Sequence, residues 1–322
     1  MKPYLIGIDI GGTNTKCGIV DQEGNVLGKE IIPTNIHRNI DVYLEGVYET
    51  INRLLESCGD CEGKVHGIGI GAPNANMNTG TLEHATNLPW KGVIPFQRKI
   101  EALFNLRAVI TNDANAAAIG EMTYGKAQGL TDFMVITLGT GLGSGFVNNG
   151  SLIYGHDGFA GEFGHVKVKY DERECGCGKK GCLETYVSAT GICRTAHKLL
   201  ADFKDYPTKL RDLTIKEITA KMIHELAQEG DPVALAAFEK TGKILGQKLA
   251  DAVHMLSPSH IFLMGGLSHA GHFLIPHIKN YMEPQLMPAF ANKVQIEVTG
   301  LDEKVAPILG AASLAKNYIP EE

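Results

Sequence analysis

The sequence predicts an α/β protein built from two related halves with a cleft between them. Two observations carry this. Strand-like and helix-like hydrophobic periods alternate along the 322 residues. One pattern, strand, glycine turn, strand and hairpin turn, also occurs twice, starting near Tyr4 and again near Phe133.

In chain order, Ile6, Ile8 and Ile10 mark a first strand, followed by a turn at Gly11-Gly12 and a second strand around residues 17–20. A turn at 21–24 leads to a third strand over 26–32. Val42, Leu44, Val47, Ile51, Leu54 and Leu55 repeat at helical spacing over 41–57. Residues 65–70 read as a buried strand ending in Gly71-Ala72-Pro73, and 108–111 as another, entering an alanine-rich helix over 114–124 through Asn112-Asp113. The second copy begins with a strand over 133–138, a glycine turn over 139–145, a strand at 146–147 and a hairpin turn at 148–150. Residues 185–256 are helical by pattern, with a polar connection near 202–212. A strand over 260–264 runs into Gly265-Gly266, and a helix over 270–284 precedes a strand over 294–298. The last helix starts near Pro307, and its Gly310-Ala311-Ala312 would allow close packing on the N-terminal half.

Composition narrows the function. Hydrophobic residues make up 44% and charged ones 20%, as in globular proteins. The net charge of −6 argues against nucleic acid or anionic membrane as a partner. The N-terminal apolar run is too short for a signal peptide, and there is no 18-residue apolar stretch to span a membrane. Seven cysteines, an odd number, suit a reducing cytoplasm better than a disulfide framework. Cys58 and Cys61 form a C-G-D-C that could be a redox pair but reads more simply as two loop thiols after a helix.

The stretch 161–184 is the most informative. It reads G-E-F-G-H, nine further residues, then C-G-C-G-K-K-G-C-L-E. His165, Cys175, Cys177 and Cys182 form the ligand set of a closed, four-coordinate structural zinc site. The interleaved glycines let the backbone turn so that the sulfurs converge. Glu162 and Glu184 flank these ligands, so the metal would fix two carboxylates as recognition of a polyhydroxylated substrate requires. Asp9-Ile10-Gly11-Gly12-Thr13-Asn14-Thr15-Lys16 sets an acid at a strand end before two glycines, hydroxyls and a lysine. Backbone N–H groups of such a turn can approach phosphate oxygens, and the acid can hold a hydrated Mg²⁺. With the turn from Gly139, Thr140 and Gly141 through Gly143 to Gly145, it favours a nucleoside triphosphate in the cleft, although either turn alone could be a plain hairpin. Asp113 could accept the proton of an attacking hydroxyl, and Asn112-Asp113 could equally cap the helix.

D-I-G-G-T at 9–13, G-A-P at 71–73, N-D-A-N at 112–115, G-T-G-L-G-S-G at 139–145 and the zinc-and-glutamate segment together resemble the ROK family of sugar kinases and sugar-responsive repressors, over nearly the whole chain. The resemblance implies an actin-like (ribonuclease H-like) ATPase fold with ATP and sugar in an interdomain cleft. It implies a small N-terminal domain of residues 1–112 with about 303–322, and a larger zinc-bearing domain of 113–302. It implies Asp113 as catalytic base, with Asn112, Asp113, Glu162, His165 and Glu184 on sugar hydroxyls. His165 would serve twice, with one ring nitrogen on zinc and the other on the sugar. Asp9, Gly11, Gly12, Thr13, Asn14 and Lys16, with Gly139, Thr140, Gly141 and Gly143, would hold the Mg²⁺-ATP phosphates, and Gly265-Gly266 would lie near the adenosine. A cytoplasmic homodimer is also implied.

The chain departs from the family at Asn74, where glycine commonly follows G-A-P in a loop facing the sugar, and at Ser144, where glycine is frequent. Thr86-Asn87-Leu88 resembles a segment closing over the sugar. The stretch T-Y-V-S-A-T-G-I after Glu184 resembles glucose-phosphorylating members. The expectation is phosphorylation of glucose at its 6-hydroxyl, with N-acetylglucosamine, N-acetylmannosamine and fructose as alternative substrates. The other-class alternatives are a sugar-binding regulator without catalysis and a repressor. The repressor is disfavoured by acidic charge and by a first strand that begins at Tyr4.

Overall fold

The computed structural model describes residues 2–61, 63–168 and 172–321. Of the expected domain ranges, residues 1, 62, 169–171 and 322 lie outside the described residues. The chain forms two compact units: Met1–Leu130 with Leu152–Gly161 and Gly300–Glu322, and Thr131–Ser151 with Glu162–Thr299.

In the first unit, β1 (Tyr4–Ile10), β2 (Asn14–Asp21), β3 (Val26–Pro33), β4 (Val65–Gly71) and β8 (Ala108–Thr111) form one sheet in the order β3-β2-β1-β4-β8. The β1–β2 and β2–β3 pairs are antiparallel, and β1–β4 and β4–β8 are parallel. A small antiparallel sheet holds β5 (Ala75–Asn76), β6 (Thr81–Glu83) and β7 (Val93–Ile94). The helices are α1 (Ile40–Cys58), α2 (Phe96–Phe104), α3 (Asp113–Tyr124) and the C-terminal α9 (Ala306–Tyr318). Asn39 caps α1 by accepting the Asp41 N–H at 2.8 Å, and Leu44, Val47, Ile51 and Leu54 turn to the core as expected, whereas Val42 is exposed and Tyr43 is buried beside it. Two glycines let α9 lie on the sheet. A Cβ at Gly69 would stand 1.8 Å from the Ala311 carbonyl oxygen, and one at Gly7 would stand 2.3 Å from that of Ile308. The small residues of α9 thus do pack against the N-terminal half.

The second unit repeats the plan. β9 (Phe133–Leu138), β10 (Leu142–Asn148), β11 (Ser151–Leu152), β12 (His260–Met264) and β13 (Gln295–Val298) run in the order β11-β10-β9-β12-β13. β9–β10 is antiparallel, and β9–β12 and β12–β13 are parallel. The first strand of each copy therefore has its hairpin partner on one side and two parallel strands on the other. The helices are α4 (Glu184–Val187), α5 (Ala189–Leu199), α6 (Ala220–Gln228), α7 (Pro232–Leu256) and α8 (Gly271–Met282). Asp231 caps α7 through the Val233 and Ala234 N–H groups, both at 2.9 Å, and Met134, Ile136 and Leu138 share a buried core with Phe238, Leu245 and Leu249.

Two expectations are corrected. The second glycine turn is only 139–141, because Gly143, Ser144 and Gly145 are already paired with β9. By contact, helix α3 and the segment Leu152–Gly161 group with the first unit. Among the physical ties are a Gly120–Gly310 approach, where an added Cβ would sit 2.7 Å from the Gly310 Cα, and a bond from Asn76 Nδ2 to the Asp157 carbonyl at 2.8 Å. Cys58 and Cys61 are joined in a disulfide rather than being free loop thiols. Gly59, at φ 72°, folds the end of α1 back so that their Cα atoms are 5.6 Å apart. Among the described residues, no helix is long and apolar enough to cross a membrane.

Candidate functional site

In the first unit the expected residues gather at the carboxyl ends of the parallel strands β1, β4 and β8, where open α/β sheets place ligands. A Cβ built on Gly71 would lie 3.7 Å from both Asp9 Oδ1 and the Asp113 Cα, so three successive strand ends converge. Burial pushes Asp9 up to about 7. The neighbouring Asp113 charge adds to the shift, and Lys16, its cross-strand partner, opposes it. A cation beside this carboxylate would restore its charge, so the donor fits Mg²⁺. Gly11 N–H closes the turn on the Asn14 carbonyl at 2.9 Å, leaving Thr13 and Asn14 exposed at its tip. Gly12 abuts the Thr86–Leu88 segment, where a Cβ would meet the Asn87 carbonyl oxygen at 2.8 Å. Thr15 turns inward instead, hydrogen-bonding Thr34 at 2.8 Å and Tyr43 at 2.7 Å.

Asn112 and Asp113 cap the helix, one of the two roles read from sequence. Each carboxyl or amide Oδ1 accepts the Ala114 N–H at 2.8 Å, a helix N-cap, while Asp113 remains exposed. Surrounding protein raises the Asp113 carboxyl above its usual range, opposed by its own and the Ala114 N–H. Asn74 is exposed with φ 53°, the left-handed region that glycine and asparagine tolerate best. The family's glycine is thus replaced here by a residue type suited to the same backbone, and an amide is added.

In the second unit, Gly139 N–H reaches the Gly141 carbonyl at 3.1 Å, and the turn is tied to α5 through Ala189 N–H on Gly139 and Thr190 Oγ1 on Thr140, both at 2.9 Å. Glu184, at the start of α4, lies against this turn; a Cβ on Gly141 would be 2.6 Å from Glu184 Oε2. Gly265, at φ 90°, sits on the backbone of Leu138, with 3.0 Å left for a Cβ, so Gly265-Gly266 borders the same turn. Ser144 Oγ accepts the Phe163 N–H at 3.3 Å, which fastens the 3-10 turn Phe163–His165 to β10. The serine that departs from the family is thereby given a structural role.

His165, Cys175, Cys177 and Cys182 converge as expected, their ligand atoms all within 4.8 Å of one another. The Cys177–Cys182 sulfurs and the Cys175 Sγ–His165 Nδ1 pair are each 3.7 Å apart. A tetrahedral ion with bonds of about 2.3 Å to sulfur needs an edge of about 3.8 Å, so the cluster fits zinc. Nδ1 faces the sulfurs, and Nε2 points to Glu162 at 3.7 Å. Burial raises the Cys175 thiol, which also donates to Glu184 Oε1 at 2.7 Å. For Cys177 the upward push of burial is outweighed by the Lys179 N–H and the neighbouring thiols, and its thiol titrates below the ordinary value.

The sequence reading missed Arg173. Its guanidinium donates to the carbonyls of Thr185 at 2.6 Å and Gly191 at 3.0 Å, and to Thr195 Oγ1 at 2.9 Å, and it stacks 4.5 Å over Tyr186. It therefore clamps the cysteine loop to the helices that carry Glu184. An arginine two residues before Cys175 was the one available signal.

The chain matches the ROK family over residues 5–318. A glucokinase of Halalkalibacterium halodurans is 34% identical over 315 residues, 97% of this chain and 95% of its own length. The crystal structure of a ROK family glucokinase from Streptomyces griseus in complex with glucose and AMPPNP is 34% identical, with a TM-score of 0.80 over 97% of this chain and 99% of that one. A xylose repressor of Caldicellulosiruptor bescii is 27% identical over 311 residues, 96% of this chain and 77% of the repressor. With the two similar sheets, each built around a glycine hairpin, and this likeness along its length, the chain has the two-domain, actin-like ATPase fold and belongs to the ROK family.

Proposed function

We propose that the protein is an ATP-dependent glucose kinase that transfers the γ-phosphoryl group to the 6-hydroxyl. The observation that carries this is the full-length likeness, at 34% identity, to a glucokinase solved with glucose and AMPPNP. The convergence of Asp9, Gly71 and Asp113 at three strand ends supports it. Asp113 accepts the hydroxyl proton as the sugar oxygen attacks the γ-phosphorus and ADP departs in line. Such a transfer depends mainly on positioning, so an oriented carboxylate suffices. Asn112, Glu162, His165 Nε2 and Glu184 hold the other hydroxyls, and the two glycine turns hold the phosphates with Gly265-Gly266 beside the adenosine. Asp9 holds the hydrated Mg²⁺, whose charge offsets that of the phosphates. Zinc on His165, Cys175, Cys177 and Cys182 takes no part in the reaction and fixes Glu184 and His165 in place. The protein works as a cytoplasmic homodimer, and its charge of −6 speaks against a nucleic-acid partner.

The exposed amide of Asn74 favours a second reading, an N-acetylhexosamine kinase with the same machinery. ADP release with Mg-ATP across glucose, N-acetylglucosamine, N-acetylmannosamine, mannose and fructose separates them. A clear preference for glucose is expected. Preference for an N-acetylated sugar would transfer the specificity to Asn74, and no turnover on any sugar would overturn the kinase reading.

A further inference from the structure

Asn76 in β5 is 2% exposed, and its carboxamide is fully used. Nδ2 donates to Glu83 Oε1 at 3.1 Å and to the Asp157 carbonyl at 2.8 Å, and Oδ1 accepts the Asn78 N–H at 3.0 Å. Two acceptors on one side and a donor on the other fix which atom is nitrogen. Gly158, at φ 87°, lies so close that a Cβ there would be 2.3 Å from Asn76 Oδ1. Glu83 in turn takes hydroxyl donors from Thr81 at 2.8 Å and Thr79 at 3.2 Å, and its N–H donates to the Asn74 carbonyl at 3.0 Å. One buried amide therefore ties together the loop carrying Asn74 and the segment running into Gly161-Glu162.

We propose that Asn76 is a positioning residue for sugar recognition, fastening the Asn74 loop to the Asp157–Gly158 strap so that Asn74 is presented in a fixed place. This rests on the kinase reading above, together with the expectation that the Asn74 loop faces the sugar. The carboxamide does what no apolar or purely accepting side chain can do: it donates to a carboxylate and to a carbonyl 81 residues away in sequence, in the same buried spot.

Two variants test it, read by sugar and ATP kinetics and by backbone hydrogen exchange over residues 155–161. Asn76→Val removes the donor and leaves the Asp157 carbonyl without it. The expected result is a sugar KM raised roughly ten- to hundredfold with ATP KM within about twofold, and faster exchange in 155–161. Asn76→Asp sets a carboxylate against Glu83, a pair that takes up one shared proton as pH falls. Measured against wild type at each pH, its sugar KM is therefore expected to return toward the wild-type value as pH is lowered, a recovery that a general loss of packing would not give. An unchanged sugar KM in both variants overturns the proposal, as does a parallel rise in ATP KM. If wild type turns over no sugar, the kinase reading falls and takes the sugar role with it. Unchanged exchange in 155–161 would overturn the latch independently of any activity.

Discussion

Replacing Asp9 with asparagine should stabilise the protein while disabling it. The folded chain holds this carboxyl at about 7 against an ordinary 3.8, chiefly through burial and then through the charge of Asp113. Below the ordinary value, folded and unfolded chains are both protonated and Asp9 contributes no difference. As pH rises from 3.8 to about 7 the unfolded chain ionises first, so stability is lost progressively through that window and stays lost above it. At about 1.4 kcal/mol per unit, the full shift corresponds to about 4 kcal/mol. Asp9 keeps part of its surface in water, which screens the effect, so a gain of about 2 kcal/mol is the working figure. Asparagine carries no charge to desolvate. Urea unfolding of both proteins between about pH 4 and about pH 8, without divalent cations or nucleotide, reads the difference directly. The two should be nearly equally stable at the acid end and should separate toward neutrality, while turnover of the variant falls with its hold on Mg-ATP. A stability difference that does not vary with pH would refute the argument, because it would mean that Asp9 is not held above its ordinary range.

Asp113→Asn should lower kcat by at least about a thousandfold while sugar affinity stays within about tenfold, since the amide keeps the cap and part of the hydrogen bonding. Steady-state turnover with direct sugar binding decides it, and near-normal kcat would remove Asp113 from the role of base. Cys177→Ser should reduce retained zinc, measured by metal content after chelator treatment, and raise sugar KM together with it, because the metal braces Glu184 and His165. Zinc loss with unchanged sugar affinity would break that link. Gly69→Ala has to displace α9 or β4, given the 1.8 Å left to the Ala311 carbonyl, and should cost about 3 kcal/mol of unfolding free energy. A midpoint within experimental error of wild type would show that the helix can slide.

The fold was legible wherever side-chain periods were strong. The central strands β1, β4, β9 and β12 and the amphipathic α1 appear where their apolar spacing put them, and the repeated strand-turn-strand pattern matched two sheets of the same order. Short or side-chain-poor pieces escaped. β5, β6 and β7 are two or three residues long, too short for a period, and α2 buries only Phe96 and Ile100. The start of β10 was hidden because Gly143, Ser144 and Gly145 carry no apolar signal, although backbone pairing with β9 makes them strand. The grouping of α3 and residues 152–161 with the first unit was not legible for a related reason. Among the ties are the Gly120–Gly310 approach, the Asn317 Nδ2 to Thr123 Oγ1 bond at 3.0 Å and the Asn76 amide on the Asp157 carbonyl, none of which leaves a periodic trace.

Residues of the candidate site divide along the same line. His165, Cys175, Cys177 and Cys182 were readable because the atoms that act are their own side chains, and only a few residue types can supply them. Arg173 and Asn76 act by gripping the backbone of distant segments, and a backbone carbonyl has no residue identity to recognise. Asn74 and Ser144 are intermediate: both stand out as departures from the family, but their meaning needed the left-handed φ of one and the Phe163 N–H accepted by the other. At these two positions the backbone of this chain accommodates a polar side chain in place of glycine. Gly69, Gly158 and Gly265 allow no such replacement, because a Cβ at each would meet neighbouring atoms at 3.0 Å or less.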